Sequence, residues 1–366
     1  MFIVSSTATA GAGSLREALA TAPASATILI LVSGTMTLDT PLICQRSVIL
    51  QGMSHESFTI SGATQGRIFE IAADAAVLLH GITLCNGYAK QGGAILNHGK
   101  LDISNCVLHH NVADEGGAIA NFGTLQIQQC HLHHNHATSS TSGGGAMVAM
   151  PASSTTISQS HFSANLSAGY GGAILSHATL HLSSTTFSTN QAHHSGGAIR
   201  QQHGILHLEH CALHANHASA GGAIWLQPSC TASLNESLFE QNHAERLPAS
   251  TWNHPNGGAI WNNGGRVEVL GCTFAGNHAE RNSGAIHTRD FHHPSHLLIC
   301  NSTFSANSAG RSGGVLCNYG STEIITSTLV QNHARQNGGG IVNGARGRLH
   351  LLGTILTNNH AAYSQN

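Results

Sequence analysis

Short runs in which apolar and polar residues alternate recur along most of this chain: Leu101-Asp102-Ile103, Leu125-Gln126-Ile127, Leu180-His181-Leu182, Leu206-His207-Leu208, Val267-Glu268-Val269 and Leu349-His350-Leu351. A period of two is that of a strand with one face buried, and no 3.6-residue period accompanies it. Each run sits between two other repeated signals. Ahead of it is a Gly-Gly-Ala-Ile-like tetrapeptide, beginning at Gly92, Gly116, Gly144, Gly171, Gly196, Gly221, Gly257, Ser283, Gly313 and Gly338. Behind it is an asparagine: Asn111, Asn135, Asn165, Asn190, Asn216, Asn242, Asn277, Asn307, Asn332 or Asn359. Leu or Phe stands three residues before every one of these asparagines, and Cys, Ser or Thr five residues before. The unit recurs about every 25 residues, the length range of strand-based solenoid repeats.

Three short strands and three turns in such a unit make one coil. The chain is therefore expected to be all-β: a right-handed, single-stranded parallel β-helix solenoid of about thirteen coils, its hand following from the general preference of parallel crossovers. The double glycine supplies a tight corner, and Ile, Leu and Phe stack on their copies to make a narrow core. The asparagines are expected to form a ladder of side-chain amides at the strand spacing. A second, less regular ladder runs through Asn97, Asn121, Asn262, Asn318 and Asn343.

Residues 1–90 lack the glycine signal but still read as strands, so they are taken as irregular opening coils continuous with the repeats of 91–366. Ser14-Leu15-Arg16-Glu17 has the form of a helix capping box, and Leu15, Ala18, Leu19 and Ala22 mark one apolar helical face that would lid the core. Few residues follow Asn359. The last coil is expected to show open strand edges and an apolar cross-section, a surface suited to head-to-tail docking on a second copy.

Charge narrows the partners. With 14 basic against 16 acidic residues, there is no basic field for nucleic acid. No run approaches the ~20 apolar residues of a membrane span, and the start reads as leaderless. The acidic residues are scattered, Asp114-Glu115 being the one adjacent pair and expected in a solvated turn. No GxSxG, HExxH, CxxC or Asp-rich calcium repeat occurs. No catalytic, cofactor or metal residue is assigned, and the chain is expected not to be an enzyme.

Histidine is abundant, at 29 residues. Six follow a ladder asparagine directly: His136, His217, His243, His278, His333 and His360. His217, His243 and His278 lie in successive coils and are expected to stack ring on ring as an outward polar ladder. Weak zinc or copper binding, or a pH response, is the alternative. Cys106, Cys130, Cys211 and Cys272 take the small inward position and are expected as buried thiols; Cys106 and Cys130 are close enough in coil order to bridge in principle. Trp225 and Trp261 share the outward position after Ile, and Trp252 lies in an insertion over 245–256; a second insertion spans 287–296. Exposed tryptophans in a row suit sugar rings or a protein partner, with simple loop packing as the alternative.

The pairing of Gly171-Gly172-Ala173-Ile174 with Phe187-Ser188-Thr189-Asn190 resembles the GGAI/FxxN repeat of the chlamydial polymorphic membrane proteins. The likeness spans roughly 92–361. It implies an autotransported, adhesin-like surface protein with a β-helical passenger. Ser14 to Leu19 followed by Thr35-Met36-Thr37-Leu38 resembles the opening of a wider class of bacterial secreted β-helix proteins. The leading expectation is a non-enzymatic extracellular or cell-surface scaffold, adhesin or fibre subunit. Its partners would be itself, a host protein or a glycan. The alternative is a carbohydrate-binding or carbohydrate-active β-helix using the face of 225–296.

Overall fold

The structure is a computed structural model, which describes residues 2–248, 250, 254–290 and 293–362. Its strands form four parallel sheets wound into one right-handed solenoid. Taking one coil in chain order, Ile95–Asn97 belongs to sheet I, Lys100–Ser104 to sheet II, Val107–His109 to sheet III and Val112–Glu115 to sheet IV. Ile119–Asn121 then returns to sheet I, one coil on. Sheet II is the longest, with 14 strands among the described residues.

The alternating runs form sheet II, where Leu101 stacks on Leu125 and Ile103 on Ile127. The apolar residue before each ladder asparagine forms sheet III, so that Phe162 lies on Phe187 with ring centroids 5.0 Å apart. Phe239, Phe274 and Phe304 repeat this at 4.5 and 4.7 Å. Three strands per coil were expected, and there are four. Sheet IV consists mostly of two-residue strands such as His217–Ala218, too short to show any period in the sequence.

The glycine corner is dictated by space as well as by conformation. Gly221 has φ of 58°, in the left-handed region that a side chain disfavours. At its neighbour Gly222 a Cβ would lie 2.1 Å from the carbonyl oxygen of Gly258 in the next coil. The first glycine turns the chain and the second lets successive backbones touch.

The asparagine ladder is continuous from Asn111 to Asn359. At Asn242, Nδ2 donates to Oδ1 of Asn277 at 3.0 Å and to the carbonyl of Leu213 at 2.9 Å. Its own Oδ1 accepts from Nδ2 and the backbone N–H of Asn216, both at 3.0 Å. Every polar atom of the side chain is thus used in a site closed to water. The second ladder exists only in pieces. Asn97 donates to Asn121 and Asn318 to Asn343, both at 2.8 Å, but Ala149, Ser176, Gln201, Leu226 and Thr288 interrupt the row.

At the start, the helix Leu15–Thr21 is capped by Ser14, whose Oγ accepts from the N–H of Glu17, and Leu15, Ala18 and Ala22 close the core. In the last coil, Leu352 and Ile355 are 55% and 58% exposed. No helix of the described residues is long and apolar enough to cross a membrane.

Candidate functional site

The outward row of sheet I runs Leu175, Arg200, Trp225, Trp261, His287 and Cys317 in successive coils. Outward on the strand is not outward on the molecule. Trp225 and Trp261 are 1% and 3% exposed, packed with Ala220, because the corner between sheets IV and I folds over this face. The exposure expected of these two residues is therefore not found. Arg200 is drawn into the same row: its guanidinium lies between the rings of Tyr170 and Trp225, 3.8 and 4.2 Å from their centroids, and Nη1 donates to Ser195 Oγ at 2.7 Å. Cation–π contact on both faces is what makes a buried guanidinium tolerable here. Trp252 lies outside the described residues.

The row continues into a cleft of about 390 Å³. Trp261 meets His287 edge to face at 5.0 Å, and His287 meets Tyr319 at 5.8 Å. Around Tyr319 stand His254, Arg281, Arg289, Asp290 and Arg346. Both insertions supply its walls. The first returns to the solenoid through His254 and Asn256, and Asn256 pairs with Asn282 at the coil corner, which places Arg281 beside His254. The second leaves after Ile286–Thr288 and re-enters at His296–Cys300, carrying Arg289 and Asp290. Arg346 comes from the turn after Ile341–Asn343, two coils on.

Three arginines share the cleft with one carboxylate, that of Asp290, of which Oδ1 accepts from the N–H and the Oγ of Ser295. Arg281 donates from Nη1 to His254 Nδ1 at 2.7 Å, and no acidic side chain reaches its fork among the described residues. Burial, then the charges of Arg289 and Arg281, push His287 down to about 3, so it is neutral at physiological pH. Burial and the same arginines also lower His254. The phenol of Tyr319 is raised, mainly by burial. The cleft is therefore cationic through its arginines, the buried His287 adds no charge at neutral pH, and one wall is aromatic.

Other marked residues fall elsewhere. Asp114 and Glu115 lie at the end of a sheet IV strand instead of a turn, and they have separate partners: Asp114 accepts from Thr138 and Glu115 from Gln91. His217, His243 and His278 do not stack. Their centroids are 6.4 and 6.0 Å apart with the rings strongly tilted, because Glu245 lies 3.6 Å from both His217 and His243. Cys106, Cys130, Cys211 and Cys272 are buried as expected, and burial raises Cys211 and Cys272.

A family model described as "Right handed beta helix region" matches residues 68–274. A search of curated proteins finds no match. Among solved structures, the chain is similar to the catalytic unit of a GH87 α-1,3-glucanase from Streptomyces thermodiastaticus: 15% identity, 96% of this chain and 68% of that one, TM-score 0.55. It is also similar to the A-module of the mannuronan C-5 epimerase AlgE6 from Azotobacter vinelandii: 11% identity, 97% of this chain and 99% of that one, TM-score 0.52. At these identities the likeness is one of fold.

Proposed function

We propose, for a chain that belongs to the family of right-handed β-helix proteins, that it is a non-enzymatic glycan-binding rod whose ligand is an acidic saccharide. The observation that carries this reading is the cleft in which Arg281, Arg289 and Arg346 surround Tyr319 with a single engaged carboxylate. Guanidinium forks match planar carboxylate or sulfate groups, and a tyrosine face suits a sugar ring. The two solved structures named above act on polysaccharides by their descriptions, which supports a saccharide as the ligand of this scaffold.

The composition of the cleft supports binding without turnover. Glycoside hydrolysis ordinarily uses two carboxylates ~5–9.5 Å apart, and among the described residues Asp290 is the one acidic residue that lines the cleft. Proton abstraction from a uronate would need a free base. The Nδ1 of His254 is committed to Arg281, His287 lies beneath the surface, and the phenol of Tyr319 is raised away from its anion. The rod would act outside the cell, as the GGAI/FxxN likeness implies, holding the cleft at a fixed place along a rigid solenoid.

A panel of uronate, sulfated and neutral oligosaccharides tests the reading. Acidic members should bind with affinity that falls as salt rises, with no new reducing ends, unsaturated products or solvent deuterium at C5. Preference for neutral sugars would refute the charge argument, and turnover would refute the non-enzymatic part.

A further inference from the structure

Sheet III carries a second concentration of chemistry, in coils well before the arginine cleft. His109 ends the strand Val107–His109, and its partner one coil on is His133, which ends His131–His133. Each is followed by a second histidine, His110 or His134, with φ of 53°. In an extended chain the second side chain would point to the opposite face. The left-handed turn instead swings it to the same side, and Nδ1 of the two rings comes to 2.8 Å in both pairs. His110 and His134 are exposed, and His109 and His133 are half-buried.

We propose that His109–His110 and His133–His134 are two-nitrogen clamps for divalent transition-metal ions that favour imidazole, copper(II) foremost. Two imidazole nitrogens on one ion, with bonds of ~2.0–2.1 Å, stand about 2.9–3.4 Å apart, so the observed separation needs a few tenths of an ångström of opening together with a turn of the rings that aims both lone pairs at the ion. The ion takes the place of the N–H···N hydrogen bond: the ring that donates in it gives up its Nδ1 proton to water and takes one from water at Nε2, so that both rings bind as neutral Nε2–H tautomers. Imidazole suits copper, nickel and zinc, and copper(II) leads the first-row affinity order.

The stoichiometry also follows from geometry. The rings of one pair stack nearly parallel on those of the next, at interplanar angles of 14° and 2° and centroid distances of 5.1 and 5.2 Å, so stacked copies of one nitrogen stand about a strand spacing apart, beyond the ~4.2 Å that two opposite bonds to one ion can span. Among the described residues no three His, Cys, Asp or Glu are placed around a common ion. Each clamp therefore holds its own ion, with water completing the shell, and repulsion between neighbouring ions makes the second bind more weakly. The nearby rings are otherwise engaged. His131 and His161 stack at 4.8 Å, but their Nε2 atoms are bound to Ser163 and Ser188 at 2.8 Å.

The test is titration of the full chain with copper(II) chloride in a non-chelating buffer, followed by calorimetry and electron paramagnetic resonance. Two strongest sites of unequal affinity are expected, each with nitrogen hyperfine structure from two imidazoles. His110→Asn with His134→Asn should remove both, lowering copper affinity at least ~10-fold. Asparagine accepts the left-handed conformation, so the melting temperature should be unchanged. A melting temperature that fell would be answered by repeating the titration with His109→Gln and His133→Gln. Wild-type copper binding in either double variant, or no stoichiometric site in the native chain, would overturn the proposal.

Discussion

Asn242→Ala is expected to destabilise the solenoid by about 3–5 kcal/mol, because it strands several buried groups at ~1–3 kcal/mol each. The amide and N–H of Asn216, the carbonyl of Leu213 and Oδ1 of Asn277 all lose a partner. No water can replace them in a site at 0% exposure. Asn359 in the last described coil provides the contrast. It makes the same bonds to Asn332 and Leu329, but its surroundings are only part-buried. Asn359→Ala should cost well under half as much. Urea unfolding of both variants measures the difference, and equal losses would show that the ladder derives little of its strength from burial.

Acid should weaken the fold well above the carboxylate range. His287 is fully enclosed, with Nδ1 on Ser283 Oγ at 3.0 Å and its ring against Trp261, and burial holds its folded-state value at about 3. Unfolded, it titrates near 6.5. The unfolded chain therefore binds the proton first as pH falls. The contribution of neutral His287 is whole above about pH 6.5 and is lost progressively down to about pH 3. By pH 5 the loss is roughly 2 kcal/mol from this residue alone. Several other histidines are lowered mainly by burial, His131 and His133 to about 4, and add to the trend, though solvent screens these half-exposed rings. The melting temperature should drop by several degrees between pH 7.5 and pH 5, and less in His287→Gln. An increase on acidification would contradict the sign.

The coil was legible because a solenoid stacks each residue on its own copy, so core positions repeat literally: Phe162 on Phe187, Asn242 on Asn277. What does not repeat in residue type was not legible. Each ladder asparagine follows a residue in the left-handed region, filled by His110, Ala164, Thr189, Ala215 or Gln241. The neighbours impose that turn on whatever side chain stands there, so composition does not announce it. The tryptophans misled for a different reason. Strand alternation places Trp225 and Trp261 outside the coil, but burial is decided by the next corner folding over sheet I.

The candidate site was half legible. The two insertions are visible in the sequence, within the face of 225–296 that the carbohydrate alternative uses, and they do wall the cleft. Its charges were missed, although six of the fourteen basic residues fall between Arg281 and Arg348. A net charge near zero conceals such local segregation. Whether these arginines converge depends on which coils they share, and irregular coil lengths hide that in sequence.

The claim that this rod holds an acidic saccharide is tested most directly by calorimetric titration of an oligouronate into the native chain and into Arg281→Ala with Arg346→Ala. Arg346 is exposed and Arg281 half-buried with one hydrogen bond, to His254, so the melting temperature should fall by no more than a few degrees. A charge-assisted guanidinium–carboxylate contact contributes about 1.5–3 kcal/mol, so affinity should fall at least ~100-fold. Undiminished binding by the double variant, or no binding by the native chain, would contradict it.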